Sequence, residues 1–347
     1  MKHSKITGKT VFVSGGIGTI GSVLVEKIVN QYSPKEVKVL DINEGGLFEA
    51  MRHYAKRKNM TFLLGDVRDK EKVMWSLKDV DTVFHAAALK HVFLSEYSPF
   101  ESVKTNVLGT QNMLEAALAN KVGTFINIST DKAANPTSTM GVSKLLTERL
   151  TVGASFFNGK SKTVFASVRF GNVLNSSGSV LPIFMSQLKK GGPLTITDKR
   201  MVRYFMTTEE AVELIFQATK MAQGGEVFVL KMPALKILDL ADVLIKEYAD
   251  KYGQDKKKVK IKEIGIRPGE NLAEKIVTKA EALQTLELKK MYILPFSIDY
   301  PSVIKKVVSK SYNYYKRLGG KPVDRDDIVP QKLLTKKEIK NLLKKVI

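Results

Sequence analysis

Cysteine is missing from all 347 residues, which removes disulfides, thiolate metal sites and cysteine nucleophiles. Histidine is almost as scarce. His3, His53, His85 and His91 match no metal-ligand spacing, so structural or surface roles are expected for each and no metal site. No apolar run approaches the roughly 20 residues that a membrane-crossing helix needs, and the opening MKHSKITGKTVFVSGG enters a strand pattern with no room for a secretory leader. A cytoplasmic location is the resulting expectation. Signs of disorder are absent too, since a hydrophobic content of 44% is ordinary for a globular chain.

Positive charge is in excess: 56 lysines and arginines face 35 acidic residues, a net charge of +21. The lysines are spread along the chain and thickest in DKKKVKIK and TKKEIKNLLKKVI. No helix-turn-helix, zinc-finger or RNA-binding signature accompanies them, so no specific nucleic-acid partner is expected. A solvated basic surface is the expectation, with attraction to anionic nucleotide sugars or a membrane surface as a possible addition.

TVFVSGG, EVKVLDIN, TFLLGDV, TVFHAAA, TFINIST and VFASVRFG read as strands. SVLVEKIVNQY, VKTNVLGTQNMLEAALAN and SKLLTERLTVGASFF alternate with them at helical spacing. Such alternation predicts an α/β fold with a doubly wound parallel sheet of the Rossmann kind. After Asn172 the pattern changes, which implies a smaller mixed α/β substrate domain. The expected division assigns 1–174 and 206–231 to the nucleotide domain, 175–205 and 232–300 to the substrate domain, and 301–347 to a basic C-terminal appendage. Thr207 or Thr208 is the expected N-cap of the helix that leads back to the main sheet.

GGIGTIG follows the first strand and opens a helix, with glycines at 15, 18 and 21. That spacing allows a tight turn, close approach of backbone to a pyrophosphate and close helix packing. Asp41, 20 residues after Gly21, ends the second strand where a carboxylate accepts from the adenosine ribose. An acidic group there repels an extra phosphate, so NAD is favoured, with NADP possible. Asp66 ends the third strand, as a partner for the adenine amino group or simply a polar terminator.

GxxGxxG, LLGDVRD, HAAALKHV, TNVLGT, STDKAANP, MGVSK, RFGNVLNSSGSV and TITDKRMVRYFMT occur in this order. Together they resemble the extended short-chain dehydrogenase/reductases, specifically the UDP-N-acetylglucosamine 4,6-dehydratases of polysaccharide and glycan biosynthesis, over about residues 8–275. The resemblance implies tightly held NAD, which takes hydride from C4 of the hexose and returns it to C6. Between those events a base removes the C5 proton and an acid protonates the departing 6-hydroxyl. It also implies cofactor contacts at Thr19, Ile20, Val67, Ala86 and Ala87 beside the glycines, Asp41 and Asp66.

By the same resemblance Asp131 is the acid and Lys132 the base, with Lys144 reaching the cofactor ribose; a lysine serves as a base only where desolvation or a neighbouring cation depresses its pKa, and Lys144 is a cation in the same segment. Thr130 takes the place of the hydroxyl residue near C4. Met140 departs from the wider superfamily, where a tyrosine stands; a thioether is no base. Methionine there marks a branch of the dehydratases and leaves open whether Lys132, Asp131 or a water deprotonates the 4-hydroxyl. Lys90, Asn172, Arg203, Arg267 and Glu270 are implied substrate contacts for a UDP-sugar, although Arg267, like Arg200, reads equally well as a surface charge. RPGEN carries Asn271 where the family pattern has lysine. The resemblance also implies a homo-oligomer, a dimer or hexamer, joined through the two long helices that follow the fourth and fifth strands. Two rival functions are a sugar-nucleotide 4-epimerase and a nucleotide-binding protein without turnover.

Overall fold

Runs of β-branched and aromatic residues that are apolar on both faces set the core. In this computed structural model, which describes residues 5–159, 161–176, 178–295, 311–323, 328 and 333–347, six such runs form parallel strands. They are β1 (Thr10–Ser14), β2 (Glu36–Asp41), β3 (Met60–Leu64), β4 (Thr82–His85), β5 (Thr124–Thr130) and β6 (Val164–Phe170). Every residue of β1 and β4 is buried, as strands covered by helices on both faces must be.

The connecting helices are α1 (Thr19–Gln31), α2 (Glu44–His53), α3 (Lys70–Ser76), α4 (Val92–Tyr97), α5 (Pro99–Ser102), α6 (Gly109–Ala119) and α7 (Thr139–Ala154). The helical pattern from Val103 to Asn120 divides in two, because 103–108 winds as a π-helical turn before α6 begins. The helices α2 to α5 were not expected from periodicity. Asn43 and Asp69, which cap α2 and α3 through their side chains, were the available cue.

Downstream lie β7 (Asn172–Val173), α8 (Val180–Lys189), β8 (Leu194–Ile196), β9 (Val202–Met206), α9 (Thr208–Met221), β10 (Glu226–Leu230), β11 (Ala234–Lys236), α10 (Ile237–Tyr248), β12 (Ile261–Glu263), α11 (Lys279–Ala282), β13 (Leu286–Glu287), β14 (Met291–Leu294) and β15 (Lys321–Pro322). Thr207 caps α9 in a reciprocal box with Glu210. The main sheet runs β15-β13-β14-β10-β6-β5-β4-β1-β2-β3. Pairing is parallel from β3 to β10 and antiparallel from β10 to β15. The chain moves outward from β1 to β3 and then crosses back to β4, so a crevice opens between β1 and β4 at the carboxyl ends of the strands.

A second core gathers Phe184, Leu188, Leu240 and Leu244 around α8 and α10. The C-terminal helix Lys336–Leu343 adds Ile339, Leu342 and Leu343 to it. Tyr315 is fully buried in the first core, where its hydroxyl donates to Glu226 Oε1 at 2.9 Å. The described parts of 311–347 are thus packed into both cores. In the same way β13 and β14, from the span expected in the smaller domain, extend the main sheet, because their apolar residues cover the exposed side of β10. His3 and residues 301–310 lie outside the described residues.

Candidate active site

One cleft of about 910 Å³ runs from the glycine-rich turn across the ends of β4 and β5 to β9 and residues 264–274. That volume suits a ligand larger than a single hexose. Gly15 sits at φ +67°, and a Cβ there would stand 2.6 Å from the Ala87 nitrogen; one on Gly21 would stand 2.0 Å from the Gly15 carbonyl oxygen. Gly18 precedes α1 without a side-chain cap, and Gly18, Thr19 and Ile20 line the cleft. Unsatisfied N–H groups at a helix start, next to glycines that keep the wall thin, form a cradle that fits a dinucleotide pyrophosphate.

Asp41 braces this cradle. Its carboxylate accepts the Ile17 and Asn43 N–H groups, both at 3.0 Å, and each oxygen keeps a lone pair for a ligand. Asp66 is engaged by Arg68, whose Nε donates to it at 2.7 Å and whose Nη1 continues to Glu101 at 2.8 Å. Burial pushes the Asp66 carboxyl up, but the Arg68 hydrogen bonds and charge outweigh it and hold the group below its usual value. Ala86 lines the cleft, Ala87 presses behind Gly15, and Val67 is core beneath Gly109.

The chemistry-bearing residues follow β5, where Asp131–Ala133 forms a 3-10 turn. Asp131 is completely buried. Its Oδ1 accepts from Thr130 Oγ1 at 2.9 Å and from Lys132 Nζ at 3.0 Å, while Oδ2 has no partner among the described residues. The Lys132 ammonium also donates to Asn172 Oδ1 at 3.1 Å. Asp131 and Lys132 thus form an ion pair that is sunk into the cleft wall.

Met140 and Lys144 lie one turn apart on α7, and both line the cleft. Lys144 is buried and donates to the Ile128 carbonyl at 2.5 Å. Burial pulls its ammonium down to about 8, with Glu148 opposing. The strongly perturbed lysine is therefore Lys144 itself. His85 is buried between Ser14 Oγ at 2.7 Å and Thr110 Oγ1 at 2.9 Å. Burial and the nearby Lys144 charge push it down to about 3, so it is a neutral structural histidine.

Lys90, Asn172, Arg203, Arg267 and Glu270 all line the far part of the cleft. Arg203 is held by the carbonyls of Val202 at 2.8 Å and Leu272 at 3.3 Å. Arg200 instead chelates Asp198, with Nη2 to Oδ2 at 2.7 Å. Asn271 turns to Glu274 at 3.2 Å. Two polar clusters were not anticipated. Asn106, in the π-helical turn, clamps both backbone groups of Leu89 and reaches Ser143 Oγ at 2.9 Å. Arg169, Glu148 and Glu281 form a buried ion triad behind α7. Each joins residues far apart in the chain, so no local pattern marks them.

A family model described as polysaccharide biosynthesis protein matches residues 11–295. An "Uncharacterized membrane protein" of Methanocaldococcus jannaschii is 50% identical over 292 residues, 84% of this chain and 87% of its own. A "UDP-N-acetylglucosamine 4,6-dehydratase (inverting)" of Campylobacter jejuni is 36% identical over 293 residues, 84% of each chain. A "UDP-glucose 4-epimerase" of Rickettsia bellii is 38% identical over 289 residues, 83% of each. The solved structure of Pen from Bacillus thuringiensis superposes with a TM-score of 0.89 at 37% identity, covering 99% of both chains. Among the described residues no helix is long and apolar enough to cross a membrane.

Proposed function

The chain belongs to the polysaccharide biosynthesis protein family of extended short-chain dehydrogenase/reductases, and from that premise we propose that it is a UDP-N-acetylglucosamine 4,6-dehydratase. Relatives named as dehydratase and as epimerase both match it. The observation that favours dehydration is the Asp131–Lys132 pair, because an acid and a base in contact serve the loss of water from C5 and C6, and epimerisation at C4 needs no acid there. NAD held by the glycine cradle and Asp41 supplies hydride acceptance and return.

The chain's own groups carry the protons. Transfer along the 3.0 Å bond from Lys132 to Asp131 turns the ion pair into an amine and a carboxylic acid. The amine then takes the C5 proton and the acid protonates the departing 6-hydroxyl. Asn172 Oδ1 accepts a second bond from the lysine at 3.1 Å and helps to orient it. Lys144 would donate to the ribose of the cofactor, and Thr130 would hydrogen-bond near C4 of the sugar. Arg203, Arg267 and Lys90 face the diphosphate by charge-assisted hydrogen bonds. Met140 contributes shape and no proton transfer.

The test is an NMR time course with UDP-N-acetylglucosamine and NAD in deuterated water. A new C6 methyl beside a C4 ketone, with deuterium at C5, is expected. A product epimerised at C4 with its 6-hydroxyl intact would replace dehydration by epimerase chemistry.

We also propose a homodimer through α4, α5 and α7, which pack side by side. Their outer faces expose Phe93, Tyr97, Phe100, Val142 and Leu146, an apolar strip that a monomer leaves wet. Sedimentation should give about twice the 38.6 kDa chain mass, and Phe100→Glu with Leu146→Glu should return it to one chain. A wild-type protein that sediments as one chain would remove the dimer.

A further inference from the structure

The ion triad behind α7 takes no part in the chemistry above, yet every one of its charged groups is engaged in the interior. Arg169 is 1% exposed and grips both oxygens of Glu148, Nε to Oε1 at 3.0 Å and Nη2 to Oε2 at 2.6 Å. It grips Glu281 in the same two-pronged way, at 2.8 and 3.0 Å, and Nη1 also donates to the Ile276 carbonyl at 2.9 Å. Glu148 accepts a further bond from Ser129 Oγ at 2.5 Å.

The placement of these groups is as informative as their bonds. Glu148 lies one helical turn after Lys144 on the buried side of α7. Ser129 follows Ile128, whose carbonyl receives the Lys144 ammonium. Arg169 on β6 is the register partner of Ser129 on β5. Two successive turns of α7 are therefore fastened to two successive residues of β5, and Arg169 locks the second fastening. From its other side Arg169 holds 276–281, which directly continues the cleft-lining stretch that ends at Glu274.

We propose that Glu148 and Arg169 are positioning residues for Lys144, holding its ammonium at the height from which it meets the cofactor. This rests on the nicotinamide-cofactor part of the function above, and not on dehydration. A helix merely packed against the sheet would need apolar residues here. Instead the middle of the buried face of α7, between Met140 and Val152, is Ser143, Lys144, Thr147, Glu148 and Thr151, while Val142 and Leu146 point outward.

The charged groups around Lys144 define the readout. Glu148 lies on its own helix with Arg169 and Glu281 behind it, His85 approaches from β4, and Asp131 and Lys132 stand at the end of β5. The ammonium that binds the ribose is present below about pH 8 and is lost above it, so NAD affinity should fall as pH rises through that value. Glu148 favours the charged lysine. Removing it should move the fall to lower pH.

The experiment measures the NAD dissociation constant by calorimetry across pH, together with the thermal midpoint, in wild type, Glu148→Gln and Glu281→Gln. In Glu148→Gln the affinity midpoint should move down by about one pH unit and binding at pH 8 weaken by roughly fivefold. Glu281→Gln, which strips Arg169 of a partner without touching the Lys144 turn, should lower the thermal midpoint and leave the affinity midpoint in place. Equal movement in both variants, or none in Glu148→Gln, overturns the proposal. Should Glu148→Gln fail to fold, Glu148→Asp decides: its charge is withdrawn by one methylene, so a smaller movement in the same direction is expected, and a wild-type midpoint overturns the proposal. A wild-type protein that binds no NAD at any pH would instead sink the cofactor reading itself.

Discussion

Lys132→Ala is expected to lower dehydration by about a thousandfold, the scale of a lost general base, while NAD binding stays near wild type. The separation follows from geometry. Among the described residues Lys132 bonds only to Asp131 and Asn172, whereas the cradle is built from Gly15, Gly18, Gly21 and Asp41. Removing the amine also leaves Asp131 buried without its cationic partner, so residual turnover should not be rescued by high pH. Turnover by NMR and affinity by calorimetry check both halves. If NAD binding falls as far as turnover, Lys132 is a structural prop and the acid–base assignment fails. Met140→Ala should be far milder, because the thioether transfers no proton.

Most of the parallel sheet was legible because its signal is local. Each of β1 to β6 is a run of apolar residues, and each site-bearing turn follows directly from one of them. The glycine cradle was legible for the same reason, as was the cluster at Thr130, Asp131 and Lys132. What stayed hidden was the geometry that depends on distant partners. Nothing near Asp66 in sequence announces Glu101 at the far end of its Arg68 bridge. The helix α7 is the clearest case: hydrophobic periodicity would have turned Val142 and Leu146 inward, yet the middle of its interior face, from Ser143 to Thr151, is polar. Propensity rules assume that water lies outside and apolar packing inside. A helix that serves a site on one face and presents an apolar strip on the other reverses that assumption.

Arg169→Ala should be the most damaging single change to stability, at about 3–5 kcal/mol, the cost of stripping a buried charge cluster of its partner. Two carboxylates, Glu148 and Glu281, would be left beside each other with side chains only 3% and 15% exposed. Against a total stability of about 5–15 kcal/mol, that loss is a large share. Chemical denaturation monitored by circular dichroism measures it. Replacing all three charges by apolar residues of similar size should cost much less, since no orphaned ion remains. If Arg169→Ala unfolds at the wild-type denaturant concentration, the triad carries no net stabilisation.

The pairing of β15 with β13 at the rim of the sheet bears on where the chain may be cut. The family match ends at residue 295, but Lys321–Pro322 pairs with β13, and Tyr315 fills the floor beneath β10. A chain shortened to the matched span would keep every residue of the cleft and lose its seal. The β13 edge would present unpaired amides to a second molecule, an open template for strand addition. A tyrosine-sized void would open at Glu226, and α10 would shed Ile339, Leu342 and Leu343 from its side. Such a fragment is poised to clump before its chemistry is ever measured.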